Sequence, residues 1–319
     1  MILHLLAFLS TIHAFAATRD APVWFDTDIA IGRTLHDVDD AYALSIAFHS
    51  SNYSVIGIST VFGNLKNVRQ ITRIARAMVK DYAPYPVAVS QGAARAADLG
   101  EETAGSRALA AALRSGHLRI AATGPLTNIA TVVLRNPELA KHIDEVLLMG
   151  GRRLESTAPV GPLHLKLPDA NVDHDFPAIR VLLDSQVALT LMPTEISRQI
   201  LFGKKDLERL SRGDASARWL GRTSVGWLRF WNLVVKTSGF IPFDALITSY
   251  LDSPGSFRCD DSIPVGIERL RNTTYHQPLR RQKDFLVVSH SLLTSRRARY
   301  CHDLADDYKN TLLHQLGAF

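Results

Sequence analysis

The chain has 319 residues, 46% of them hydrophobic and 21% charged, with a formal net charge of +5 at neutral pH. That balance suits a soluble globular protein with a sizeable core and leaves no place for a low-complexity or repeat architecture. The positive excess is small, and the pairs Arg152-Arg153, Arg280-Arg281 and Arg296-Arg297 stand apart without interleaved aromatics, which argues against nucleic acid as a partner.

Residues 1–16 differ in kind from the rest of the chain. Ile2 to Phe15 is apolar apart from His4, Ser10, Thr11 and His13, and Ala14-Phe15-Ala16 has the small-x-small form of a signal-peptidase site. The run is short for a membrane span. It is expected to be a cleaved signal peptide, although its n-region lacks Lys or Arg. The mature chain is then secreted or periplasmic, without a membrane segment. No Gly/Ser- or Pro-rich linker interrupts the remainder, so residues 17–319 are expected to form a single domain.

Strand and helix signals then alternate. Pro22 to Phe25 reads as a short buried strand, and Val38 to Phe48 as a helix with apolar residues at Val38, Ala41, Leu44, Ala47 and Phe48. A β-branched run from Val55 to Val61 ends at Gly63-Asn64, and Val68 to Val79 carries apolar residues at helical spacing. Strands at Pro86 to Val89 and Leu118 to Ala122 alternate with helices at Ser106 to Leu113 and Leu126 to Leu134. Val146 to Met149 is a strand ending at Gly150-Gly151, with a helix at Phe176 to Leu183 and a strand at Ala188 to Met192 after it. This alternation predicts an α/β fold on a mostly parallel open sheet with helices on both faces. After Thr194 the pattern reads as helical. Trp219 to Val235 looks like one long amphipathic helix, and another opens at Asp244 after the punctuation of Gly239 and Pro242. Cys259 and Cys301 fit either one disulfide in an oxidising compartment or two buried thiols.

The chemistry concentrates at one place. Asp26, Asp28, Asp37, Asp39 and Asp40 put five carboxylates within fifteen residues. Such groups repel one another unless a cation or a hydrogen-bonding polyol sits among them. They fall where the first strand ends and the first helix begins, and in open α/β sheets ligands bind at that edge.

Asp26-Thr27-Asp28, a loop, and Asp39-Asp40-Ala41 opening a helix resemble the nucleoside hydrolases, the inosine-uridine-preferring ribohydrolase family. Three further segments agree in order and spacing. They are Gly124-Pro125-Leu126-Thr127-Asn128-Ile129-Ala130, Met149-Gly150-Gly151, and Phe243-Asp244-Ala245-Leu246. The resemblance runs from about residue 22 to 319. It implies a nucleoside hydrolase-like open α/β sheet with a C-terminal helical portion lidding the site, and a homo-oligomeric, dimeric or tetrameric, assembly. It also implies hydrolysis of the N-glycosidic bond of a small-molecule ribonucleoside, releasing base and ribose.

Breaking that bond requires stabilising an oxocarbenium-like ribosyl centre, supplying water and helping a poor leaving group depart. A hard cation such as Ca²⁺ takes oxygen ligands. The resemblance gives the cation Asp28, Asp40, Asp244 and the backbone carbonyl of Thr123, with Asp28 also the general base. Asp39 takes the ribose-hydroxyl position, and Asp26 lies behind. Asn64 matches a residue lining the sugar pocket, although an Asn before a helical run equally suits an N-cap. Asp169 and Asn171 stand where the family holds the ribose hydroxyls with Glu-aromatic-Asn. Here Asp169 is one methylene shorter, Ala170 removes an aromatic, and Leu163 replaces an Asn. Phe243 replaces a His found in many members, which suggests stacking on a purine base. Trp227, Trp231 and Phe240 read as helix packing. Ten residues separate Asp28 from Asp39, and Arg33 or His36 of that loop is a candidate for reaching the leaving group.

Two competing functions use the same residues. A haloacid-dehalogenase-like phosphatase also places Asp-x-Asp at a strand end, but wants Thr or Val where this chain has Ala30. A secreted nucleoside- or sugar-binding protein without catalysis draws on Leu163, Asp169 and Ala170, against intact Asp28, Asp40 and Asp244.

Overall fold

Side-chain alternation in the first strand separates two hydrophobic layers: Val23 and Phe25 enter one cluster, while Trp24 enters the other. The computed structural model describes residues 22–274 and 281–318, so the expected signal peptide lies outside the described residues. Strand β1 (Pro22–Thr27) pairs in parallel with both β2 (Ser54–Thr60) and β4 (Leu118–Ala122). Outside β2 lies β3 (Val89–Gln91), and beyond β4 come β5 (Ile143–Met149) and β7 (Leu189–Met192), all parallel. The short β6 (Arg152–Arg153) closes the far edge, so the ten-stranded sheet runs β3-β2-β1-β4-β5-β7-β12-β10-β11-β6. The sheet is the mostly parallel open one that the alternation predicts.

Helices cover both faces. α1 (Asp39–His49) and α2 (Val68–Tyr82) supply the first cluster, together with later helices of the chain. α3 (Ala104–Ser115) and α4 (Thr127–Arg135) supply the second. Local chemistry sets their starts. The Asn67 side chain caps α2 by accepting from Arg69 N, and Thr103 and Ser106 form a reciprocal capping box at α3. α5 (Ala170–Asp173) and α6 (Phe176–Asp184) come after β5, and α7 (Thr194–Ser197) after β7.

The chain after Thr194 departs from the expected run of helices. A two-stranded ribbon, β8 (Phe202–Gly203) and β9 (Gly239–Phe240), encloses α8 (Lys204–Leu210), α9 (Ala215–Thr223) and α10 (Val225–Phe230). The expected long helix over Trp219 to Val235 is broken at Ser224. It ends in a π-helical turn over Trp231–Val235, closed by Lys236 in the left-handed region at φ 62°. After α11 (Ala245–Asp252) the chain returns to the sheet as β10 (Phe257–Arg271), β11 (Gln282–Val288) and β12 (Arg297–Leu304), then ends in α12 (Tyr308–Gln315). β10 is antiparallel to both β11 and β12, and β12 joins β7 in parallel. Charged residues along the exposed half of β10 mask its strand pattern. None of the helices among the described residues is long and apolar enough to cross a membrane.

Cys259 and Cys301 face each other across β10 and β12 and are joined as a disulfide, which selects the first of the two expectations. The bond closes a sequence separation of 42 residues. Cys259→Ser with Cys301→Ser should therefore lower unfolding free energy by about 2–4 kcal/mol, as should reductant on the wild type. Denaturant unfolding with and without reductant measures this, and identical midpoints would contradict it.

Candidate active site

The site gathers at the carboxyl ends of the parallel strands. Asp28 lies just past β1, Asn64 past β2, Thr123 past β4, Gly150 past β5 and Thr194 past β7. The order β3-β2-β1-β4-β5 reverses direction between β1 and β4, which is the topological switch point where such sheets bind ligands. Asp39 and Asp40 open α1 there, where the helix dipole favours negative charge.

A frame of donors holds the carboxylates apart and in place. Asp40 Oδ1 accepts from the Thr27 hydroxyl at 2.5 Å and the Thr123 hydroxyl at 2.7 Å. Asn64 donates its backbone N–H to Asp28 Oδ2 at 2.8 Å, and its Nδ2 to Asp28 Oδ1 at 3.1 Å and Asp40 Oδ2 at 3.2 Å. Asn64 is thus a clamp on two acids as well as a wall of the cavity; the cap of α2 is Asn67 instead. The preceding Gly63 is required, because at its φ of 150° a Cβ would lie 1.8 Å from Asp28 Oδ2. Asp26 lies behind, accepting from Ser59 at 2.5 Å and Asn128 at 2.8 Å. Its backbone oxygen receives Thr123 N at 2.8 Å, which ties β1 to β4 at the site.

Asp39, Asp40 and Asp244 bring one carboxylate oxygen each within 4.8 Å of one another, all three residues buried. Asp28 stands beside them: burial, then the negative charge of Asp40 and Asp244, holds its carboxyl well above the usual range. Burial and the charges of Asp244 and Asp37 raise Asp39, and burial with Asp40 raises Asp244. Asp40 is also raised by burial, against the lowering effect of its Thr27 and Thr123 hydrogen bonds. Asp26 is pushed up to about 7 by burial. The donor set fits a hard divalent cation, since it is all oxygen. The buried Oδ1 of Asp244 has no hydrogen-bond partner, as expected of a ligand atom.

These residues open onto a cavity of about 220 Å³. Asp28, Asp39, Asn64, Thr123, Asp169, Asn171, Phe243 and Asp244 all line it, and Asp40, which does not, joins them through Asn64 and the carboxylate cluster. Asp169 accepts Gly151 N at 2.6 Å and is pushed up to about 7 by burial, while Asn171 Nδ2 reaches the Thr123 carbonyl at 3.4 Å. Leu163, Arg33 and His36 do not line the cavity. Asp37 does; its Oδ1 accepts Val38 N at the start of α1.

Four aromatic rings also line the cavity. Trp227 stacks on Phe230 with ring centroids 5.0 Å apart, and Trp231 contacts both Trp227, at 6.3 Å, and Phe243, at 6.2 Å. All four line the cavity. Trp227 and Trp231 therefore do more than the helix packing expected of them, whereas Phe240 is fully buried against Tyr42 and Phe202. An aromatic stripe at i, i+3 and i+4 has the same spacing whether it faces a core or a ligand cavity, so sequence alone leaves its role open.

A model of the family described as inosine-uridine preferring nucleoside hydrolase matches residues 23–299. The chain belongs to that family. It is similar to uridine nucleosidase 1 of Arabidopsis thaliana, 25% identical over 285 residues, covering 80% of this chain and 79% of the relative. A probable ribonucleoside hydrolase of Dictyostelium discoideum is 25% identical over 283 residues, covering 75% of this chain and 79% of that one. Among solved structures, a plant nucleoside hydrolase superposes with a TM-score of 0.76 at 19% identity, covering 94% of this chain and 99% of its own. A purine-preferring ribonucleoside hydrolase from Gardnerella vaginalis gives 0.71 at 18% identity, covering 93% and 98%. The nucleoside hydrolase is thus an enzyme of ribonucleoside catabolism, acting on small-molecule substrates in a family that depends on metal. The match displaces the phosphatase alternative, and the binding protein without catalysis is not favoured.

Because burial raises Asp28, Asp39, Asp40 and Asp244, with neighbouring carboxylates adding to the rise at Asp28, Asp39 and Asp244, binding of a divalent cation to the cluster should be coupled to proton release. Cation affinity should then rise with pH. Calorimetric titration in two buffers of different ionisation enthalpy checks this, with net proton release expected. No release and a pH-independent affinity would contradict the assignment.

Proposed function

We propose that this hydrolase uses one divalent cation, Ca²⁺, to cleave ribonucleosides, with a preference for purines. The observation that carries the reading is one cavity lined both by carboxylates and by a connected set of aromatic rings. Asp28, Asp40, Asp244 and the Thr123 carbonyl would hold the cation. Asp39 is close enough to Asp40 and Asp244 to touch it while facing the ribose hydroxyls. The chemistry the cation supplies when bound is Lewis-acid polarisation of oxygen.

The protein's own groups do the rest. Asp28, fixed at both oxygens by Asn64, takes a proton from the attacking water. Asn171 and Asp169 on the far side hold the sugar. The base lies against Phe243 and Trp231, where stacking favours a protonated purine ring. A pyrimidine offers no comparable ring nitrogen, and no His faces it from position 243. The disulfide supports an oxidising compartment, secreted or periplasmic, for the mature chain. An oligomeric assembly is proposed on family resemblance.

Ribose release from a panel of nucleosides with Ca²⁺ present tests the reading. Inosine should be favoured, and uridine favoured tenfold or more would overturn the purine assignment. Asp28→Ala should lower kcat by about 10²–10⁴-fold; a near-native rate would remove Asp28 as the base. Phe243→Ala should lower kcat for inosine more than it raises KM, because the stacked protonated base exists mainly in the transition state.

A further inference from the structure

A second, smaller cavity of about 40 Å³ adjoins the first, and the two share Leu167, Asp169 and Thr194. That shared boundary contains none of the cation-site carboxylates and none of the four aromatic rings. On the reading above, a bound ribose turns its base to the rings and its 2′,3′-diol to the carboxylate cluster. C5′ is then the carbon left to face Asp169 and the space beyond it. Asp169 is one methylene shorter than the Glu that the resemblance implies, which leaves room at that junction. The smaller cavity has space for about three ordered waters, or for one phosphoryl group in their place.

The two cavities differ in charge. Among the described residues no Lys, Arg or His lines the larger one, whereas Arg152 and Lys166 line the smaller. The Arg152 guanidinium lies 4.0 Å from the centre of the Phe285 ring, and its buried Nε has no hydrogen-bond partner. The Thr273 hydroxyl, on the same lining, is also buried and unpartnered. Buried polar atoms left open in this way call for a ligand or water that completes them. The acids nearby are largely committed. Asp173 is paired with the buried Lys283, and burial pushes Asp169 up to about 7. Glu195 accepts Arg153 N on Oε1 at 3.2 Å and keeps a buried Oε2 without a partner. What remains is two cations and a hydroxyl to donate, with one carboxylate oxygen to accept.

We infer that the smaller cavity is a subsite for a 5′-phosphate, so that ribonucleoside 5′-monophosphates are substrates of the same carboxylate centre. The inference rests on the hydrolase reading above and adds a substrate class to it. Phosphate oxygens accept from Arg152, Lys166 and the Thr273 hydroxyl, and the one P–OH of the monoanion donates to Glu195 Oε2. Arg152 is pre-set for this, because its guanidinium already rests on Phe285. The phosphate ester takes no part in the reaction. The C1′–N bond breaks with its electron pair going to the base, which takes up a proton from solvent. A water oxygen bonds to C1′, and the proton it loses passes to Asp28 and on to solvent. The products are the free base and ribose 5-phosphate.

Two measurements on the calcium-loaded protein test it. Calorimetry compares ribose 5-phosphate with ribose and needs no turnover. The phosphate should raise affinity about tenfold or more, and Arg152→Gln and Lys166→Gln should each remove most of that gain. Lys166 is only half-buried, so its variant keeps the test open if Arg152→Gln does not fold. Turnover then compares inosine 5′-monophosphate with inosine. The nucleotide should have a kcat/KM at least equal to that of inosine, falling about 10–100-fold in either variant while inosine stays within about twofold. Equal affinity for ribose and ribose 5-phosphate overturns the inference. So does a gain that both variants retain, which places the phosphate on the calcium ion. Hydrolysis of inosine without hydrolysis of its 5′-monophosphate also overturns it and leaves the hydrolase reading standing. Turnover of neither compound overturns the hydrolase reading, and binding of ribose 5-phosphate then decides the subsite alone.

Discussion

Repulsion among buried carboxylates is the constraint on which the rest of this structure depends. Asp28, Asp39, Asp40 and Asp244 come from three separate segments, and nothing but the fold brings them together. Left ionised and bare they would force the switch point open, since burying unpaired charge is costly. The protein meets that cost with donors on neighbouring strand ends: Thr27, Thr123 and Asn64 each hold a carboxylate oxygen. These are the residues that join β1 to β2 and β4, so the frame of the sheet and the frame of the site are one. Gly63 belongs to it as well, because any side chain there would strike Asp28.

The aromatic rings line the same cavity as the carboxylates. Helix α10 and the π-helical turn at Trp231 bring three of the rings to the cavity, and the approach to α11 places Phe243 beside Asp244. One residue therefore faces the base while its neighbour faces the cation site. Of the departures from the pattern the resemblance implies, Phe243, Asp169 and Ala170 line this cavity and Leu163 does not, and none falls in the carboxylate frame. Such a distribution leaves the carboxylate frame intact and alters the surroundings of both the ribose hydroxyls and the base.

Much of this is legible in the amino-acid sequence. The first strand and helix lie within two residues of where apolar periodicity places them, and Leu118–Ala122 coincides with β4. The strand expected at Pro86 to Val89 lies further on, at Val89–Gln91, because its extent reflects pairing with Ile58 to Thr60 more than local propensity. β10 and β11 escape a reading of periodicity because register shifts in β10 and the buried Lys283 of β11 break the period-2 pattern. Asn64 carries two meanings in sequence, and only its distances to Asp28 and Asp40 separate the clamp from the cap. Trp227 and Trp231 show the general limit: their spacing says which face of a helix they share, and only tertiary structure says what that face meets.

Thermal unfolding of the chelated protein, titrated with Ca²⁺, tests most directly whether the carboxylate frame is built around a cation. A ligand that binds only the folded state at about a hundred times its Kd stabilises by about 2.7 kcal/mol, or about 4–8 °C in Tm for a chain of this size. The account predicts a rise of that order with a stoichiometry of one, largely lost in Asp244→Asn. A melting temperature that is the same in chelator and in saturating calcium would contradict it.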